Sequence, residues 1–166
     1  MDHVAKILAQ WRQERPDLDV TPMGLIGRLS RVHNHLAAEH AGLFARHGLN
    51  TSSFDVLATL RRAGKPYALS PSTLIAWTMV SSGTMTNRID RLEAAGLVER
   101  RANPEDGRGS VIALTETGLA LVDEVATEHV ANQHRMVEGL SPDEIAQLDA
   151  LLGRWLATFE QKPAQD

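Results

Sequence analysis

No cysteine occurs in the 166-residue chain. That single absence excludes a disulfide framework, a thiolate zinc site, a catalytic cysteine and a thiol redox sensor. No apolar run approaches the roughly 18 to 20 residues of a membrane span. The opening MDHVAKILAQW lacks the apolar segment and cleavage site of a signal peptide, so a cytoplasmic location without a membrane partner is expected. Enzyme signatures are missing too. There is no phosphate-cradling glycine loop, no Gly-x-Ser-x-Gly elbow and no His-Glu-x-x-His helix, and a protein that is not an enzyme is expected. A general excess of positive charge is also lacking: 17 basic and 21 acidic residues leave a net charge of −4. This argues against a non-specific nucleic-acid coat, because counterion release needs local positive charge.

What is there is a globular composition, 43% hydrophobic and 23% charged, fitting one domain or a small domain with added helices for pairing. Charge is unevenly spread. From Val56 to Ile112 eight basic residues face five acidic ones, leaving nine basic and sixteen acidic elsewhere. The middle of the chain is its basic part.

Apolar spacing predicts a first helix over Val4 to Glu14, with Val4, Ile7, Leu8 and Trp11 on one side. RPDLDVTP breaks it, and a long helix follows from about Pro22 to His47, stopped by Gly48. A third runs from Ser52 to about Ala63. Ser70 as N-cap and Pro71 in the first turn open a short helix to about Trp77. Ser81 and Ser82 are alternative caps for the next, which Gly96 ends. The period then changes to two, giving strands Leu97 to Arg101 and Ser110 to Leu114 around ANPEDGRG. Thr115 caps a long helix to about Glu138, and Ser141-Pro142-Asp143-Glu144 is a capping box opening the last, to about Phe159. Trp155 and Phe159 are read as packed core.

Helix, tight turn, helix and hairpin is the winged helix-turn-helix order, in which the second helix enters the major groove and the hairpin reaches along the backbone. The expected fold class is mainly α with a small β-hairpin wing. N-terminal helices occupy 1–50, the winged helix-turn-helix domain 51–115 and C-terminal helices 116–166. At 100° per residue from Met85, Ile89 falls at about +40°, Leu92 at about −20° and Gly96 at about +20°, one buried stripe. Gly83, Thr86, Asn87 and Asp90 then face outward, with Thr84 and Arg91 at the edge. Hydroxyls, an amide and an arginine suit base edges and phosphates, so Ser82, Gly83, Thr84, Thr86, Asn87 and Arg91 are candidate DNA contacts. Asp90 suits neither and calls for a cation, Arg91 or another arginine.

SSGTMTNRIDRLEAAGLVERR and DGRGSVIALTETG resemble the MarR family of winged-helix transcriptional regulators, and the resemblance extends over nearly the whole chain. It implies that Asp106 shapes the wing and that Arg108 enters the minor groove, whose negative potential attracts arginine. It also implies a homodimer held by the first and last helices. The long helices carry more apolar surface than a small central domain covers, which agrees. Two-fold pairing predicts a palindromic operator with half-sites about one helical turn apart. The extra helix before Pro16, with SFDVLATLRRAG, TNRIDRLE and LVERR, resembles the urate-responsive (PecS-like and HucR-like) branch. That implies ligand contacts at Trp11, Asp55, Arg88 and Arg100, and a repressor released by urate or a related purine. The alternative effector is another small aromatic anion, such as a phenolic compound.

Asp55 sits between Phe54 and Val56 on a mostly apolar helix, where a lone carboxylate is costly. Arg88, about −60° from Met85, borders the buried stripe. Alternation turns one of Arg100 and Arg101 inward without saying which. Arginines on an oxyanion, Asp55 on a ring N–H and Trp11 closing the pocket would suit a flat anionic heterocycle. The plain alternative is a structural ion pair of Asp55 with Arg88 or Arg100 and a core Trp11. His33 resembles a dimer-interface histidine linked in that branch to pH sensing, against the plain reading of a surface or interface histidine. No cofactor and no metal are expected, since His33 and His35 point about 200° apart on a helix. A helical adaptor binding protein through the same domain is the rival reading; it would show apolar residues on the outer helix face, and they are absent.

Overall fold

Side-chain caps fix most helix starts in the computed structural model, which describes residues 1–78, 85–103 and 109–160. The sequence expectations for Ser82, Gly83, Thr84, Asp106 and Arg108 lie outside the described residues. The elements are α1 (His3–Glu14), α2 (Thr21–Arg46), α3 (Thr51–Arg62), β1 (Ala68–Leu69), α4 (Pro71–Trp77), α5 (Met85–Ala94), β2 (Val98–Ala102), β3 (Ser110–Leu114), α6 (Glu116–Val137) and α7 (Pro142–Glu160). The fold class is as expected, mainly helical with a small sheet.

Asp2 accepts from the Ala5 amide at 2.7 Å and opens α1. Asn50 accepts from Ser53 at 2.8 Å, so α3 starts slightly earlier than Ser52. Ser70 accepts from Thr73 at 3.1 Å. Ser141 and Glu144 form the reciprocal capping box, at 3.3 Å and 2.8 Å, and the Ser141 backbone N–H and hydroxyl, both donated to its carboxylate, lower the Glu144 pKa. Each such cap satisfies backbone N–H groups that the first turn of a helix leaves without intrahelical partners.

The hairpin is one part of a three-stranded antiparallel sheet of order β1-β3-β2. β1, which the sequence reading missed, pairs Ala68 with Ala113 and Leu69 with Ile112. Two residues are too few to display a period.

The chain divides into two compact units, Met1–Ala126 and Thr127–Asp166, with the division falling inside α6. In the first unit the core draws Phe44 from α2, Leu57 and Leu60 from α3, Leu74 from α4, Ile89 from α5, Ile112 from β3 and Val122 from α6. Phe44 and Phe54 stack with ring centroids 4.4 Å apart. A satellite cluster of Val4, Leu8 and Val20 lies under α1. α1 approaches α2 closely because glycines face it: a Cβ on Gly24 would come within 3.0 Å of Leu8 and one on Gly27 within 3.3 Å of Val4. Asp2 also pairs with Arg28 at 2.8 Å.

In the second unit α7 has no buried residue. Ile145, Leu148, Leu152, Trp155 and Phe159 recur at three and four along it, yet Phe159 is 60% exposed and Trp155 only half-buried. The expectation of a packed core at these two positions is corrected: a seam on a single helix has nothing of its own to close on. No described helix is long and apolar enough to cross a membrane.

Candidate nucleic-acid interface

Helical periodicity sorts α5 as its sequence requires. Met85, Ile89 and Leu92 are buried, while Thr86, Asn87, Asp90 and Arg91 are exposed. The outward face is therefore polar, with no large apolar side chain. Gly96 is a correction, being exposed beyond the helix and outside the buried stripe. It has φ +70°, Leu97 N–H donates to Leu92 O at 2.9 Å and Gly96 N–H to Glu93 O at 2.9 Å. This is a Schellman ending, which a glycine in the left-handed region permits.

Arg88 turns the other way from Asn87. It is half-buried, and its Nη1 is closed off from solvent with no hydrogen-bond partner among the described residues. A sealed guanidinium nitrogen without an acceptor is costly and marks a place where an acceptor belongs. Asp55 is also half-buried, on α3, which packs against α5.

Arg100 and Arg101 are both exposed, so the expectation that one faces inward is corrected. β2 buries Val98 at its core end and then runs out past the core, and alternation decides burial only where a sheet face is covered. Arg101 turns back on Glu99 at 2.8 Å. Arg100 reaches across to α5, where its two terminal nitrogens hold Asp90 and Glu93 and its backbone N–H donates to Glu93 at 3.1 Å. The hydrogen bond that Arg100 donates to Asp90 first, then the Glu93 charge, raises the Arg100 pKa. The cation that Asp90 called for is thus Arg100 and not Arg91. Glu93 was missed by the sequence reading; its place one turn from Asp90, on the side facing the hairpin, is the signal that identifies it.

Trp11 is 40% exposed on α1, which corrects the reading of a core tryptophan. His33 is exposed on α2 beside exposed Val32.

Comparison with known proteins agrees with this geometry. Residues 47–109 match the model of the MarR family. The HTH-type transcriptional regulator PecS of Dickeya dadantii (strain 3937) is 46% identical over 151 residues, covering 91% of each chain. A mutant MarR from E. coli complexed with operator DNA superposes with TM-score 0.68 at 27% identity, over 88% of this chain and 97% of that one. BpsR of Bordetella bronchiseptica, from work on regulation of its DNA binding by 6-hydroxynicotinic acid, gives 0.68 at 27% identity, over 78% and 90%. A polar reading helix beside a hairpin, on a chain this similar to known regulators, is not an enzyme's site. The chain belongs to the MarR family of winged-helix, DNA-binding transcriptional regulators.

Proposed function

We propose that this regulator is a homodimeric repressor, released from a palindromic operator by a flat anionic heterocycle, urate or a related purine. The observation that carries the reading is Arg88: its sealed Nη1, without a hydrogen-bond partner among the described residues, lies one residue along the helix from exposed Asn87. An oxyanion of the effector satisfies it, Asp55 takes a ring N–H, and Trp11 closes over the ring. Regulation of BpsR by 6-hydroxynicotinic acid, itself a flat heteroaromatic acid, supports this class of ligand.

On the DNA side, Thr86, Asn87 and Arg91 meet the major groove together with Ser82, Gly83 and Thr84, while Arg108 reaches the minor groove from a wing shaped by Asp106. Two copies pair through the outer helices. Exposed Leu25 and Ile26 on α2 and Leu151 and Leu156 on α7 support that pairing.

The switch follows from Arg100, whose carboxylate partners Asp90 and Glu93 both sit on α5. A ligand that draws Arg100 to itself takes a cation from the recognition helix. It weakens DNA binding only by its differential affinity for the two arrangements. A gel-shift titration on the intergenic DNA beside the gene tests this. Urate releases the wild-type complex, and Asp55→Asn binds DNA but loses the response. A complex unchanged at millimolar urate removes the purine reading, and release by salicylate instead favours a phenolic effector.

A further inference from the structure

The tightest backbone approach at any described glycine lies where α6 begins. A Cβ on Gly118 would sit 1.9 Å from Leu97 O, 2.8 Å from Leu97 C and 3.2 Å from Leu97 Cα. All three are backbone atoms, which cannot rotate aside. One hydroxyl then ties the two elements: Thr115 Oγ1 donates to Gly96 O at 2.7 Å and accepts from Gly118 N–H at 2.9 Å. Thr115 N–H also donates to Leu97 O at 3.2 Å. Gly96 and Leu97 are the Schellman ending of α5, and Leu97 leads directly into β2.

We propose that Thr115 and Gly118 are positioning residues for DNA reading, a fixed joint through which the first turn of α6 sets the angle of α5. Arg100 ties Asp90 and Glu93 of α5 to β2, which leaves the same joint and turns with it; against the rest of the core α5 is held by its apolar stripe, Met85, Ile89 and Leu92. Apolar contacts are non-directional and tolerate small rotations; short hydrogen bonds and backbone contact do not. The lever is long. Asn87 lies nine residues before Gly96, about 13 Å along a helix at about 1.5 Å per residue, so a tilt of about 10° at the joint moves Asn87 by about 2 Å. That displacement breaks a base contact, because hydrogen bonds hold only over a few tenths of an ångström. β2 shares the joint, so the wing strand bearing Arg100 is set with the helix.

The half-site part of the test rests on the two-copy, palindrome-reading proposal above; the remainder does not. Thr115→Val, Thr115→Ser and Gly118→Ala are compared with wild type by urea unfolding and by affinity, per folded molecule, for duplexes the wild type selects from a randomised library. Thr115→Val keeps the shape and removes both hydroxyl bonds. It loses about tenfold in affinity, while Thr115→Ser restores wild-type binding. Given its own selection, Thr115→Val accepts a broader range of half-site spacings. Gly118→Ala behaves like Thr115→Val or fails to fold, and either result is what the Leu97 contact requires. The joint is overturned if folded Thr115→Val binds as wild type does, or if Thr115→Ser is as impaired as Thr115→Val. A wild-type selection without palindromes removes the two-copy reading, and the Val-to-Ser comparison still decides the joint.

Discussion

Asp90 is the side chain that a DNA-reading surface should avoid, and it is exposed on the outward face of α5. Its carboxylate would repel phosphate at close range. Arg100 removes the difficulty by holding Asp90 and Glu93 together. Arg100→Gln is therefore expected to weaken operator binding several-fold in a gel shift. The unfolding free energy from urea titration changes by no more than the ~1 kcal/mol typical of solvent-exposed pairs. Equal loss in stability and binding would make the pair merely structural. This is also where the sequence was least informative. Periodicity placed Asp90 outward and Arg88 at the border of the buried stripe, because a helix angle follows from counting. Counting says nothing of partners across elements, so Arg100 was left open between facing inward and facing outward, and it is exposed and held across to α5.

At the scale of elements, local chemistry was legible wherever the signal is local. The Ser141–Glu144 box, the Ser70 cap and the Gly96 stop all lie within one turn of the backbone they satisfy. β1 was hidden because its two residues gain meaning only from pairing with β3. α1 shows how an element of few contacts depends on one residue. The backbone N–H of Ala5, then Arg28, lower the Asp2 pKa from 3.8. A depressed carboxylate contributes its stability fully above the unfolded value and loses it as pH falls through the folded one. α1 is thus expected to loosen from α2 as the pH drops below about 4. Trp11 fluorescence, with Trp77 and Trp155 replaced, reports the change. In Asp2→Ala, which removes both the cap and the partner of Arg28, the helix is already loosened at neutral pH and the acid transition disappears.

At the scale of the whole molecule, exposed apolar residues gather on the helices outside the reading domain, Leu25 and Ile26 on α2 and Leu151, Leu156 and Phe159 on α7. Leu151→Glu with Leu156→Glu is expected to halve the sedimenting mass and to cost more than tenfold in operator affinity, since one reading head then binds without its twin. Unchanged mass in sedimentation equilibrium would place the pairing surface elsewhere.

A terminal helix with no buried residue of its own also bears on dosage. Where a second copy supplies the missing cover, the assembled form rises with the square of chain abundance while chains are scarce. Transcriptional silencing then sets in over a narrow window of expression, and a cell that dilutes the protein modestly by growth escapes it sharply.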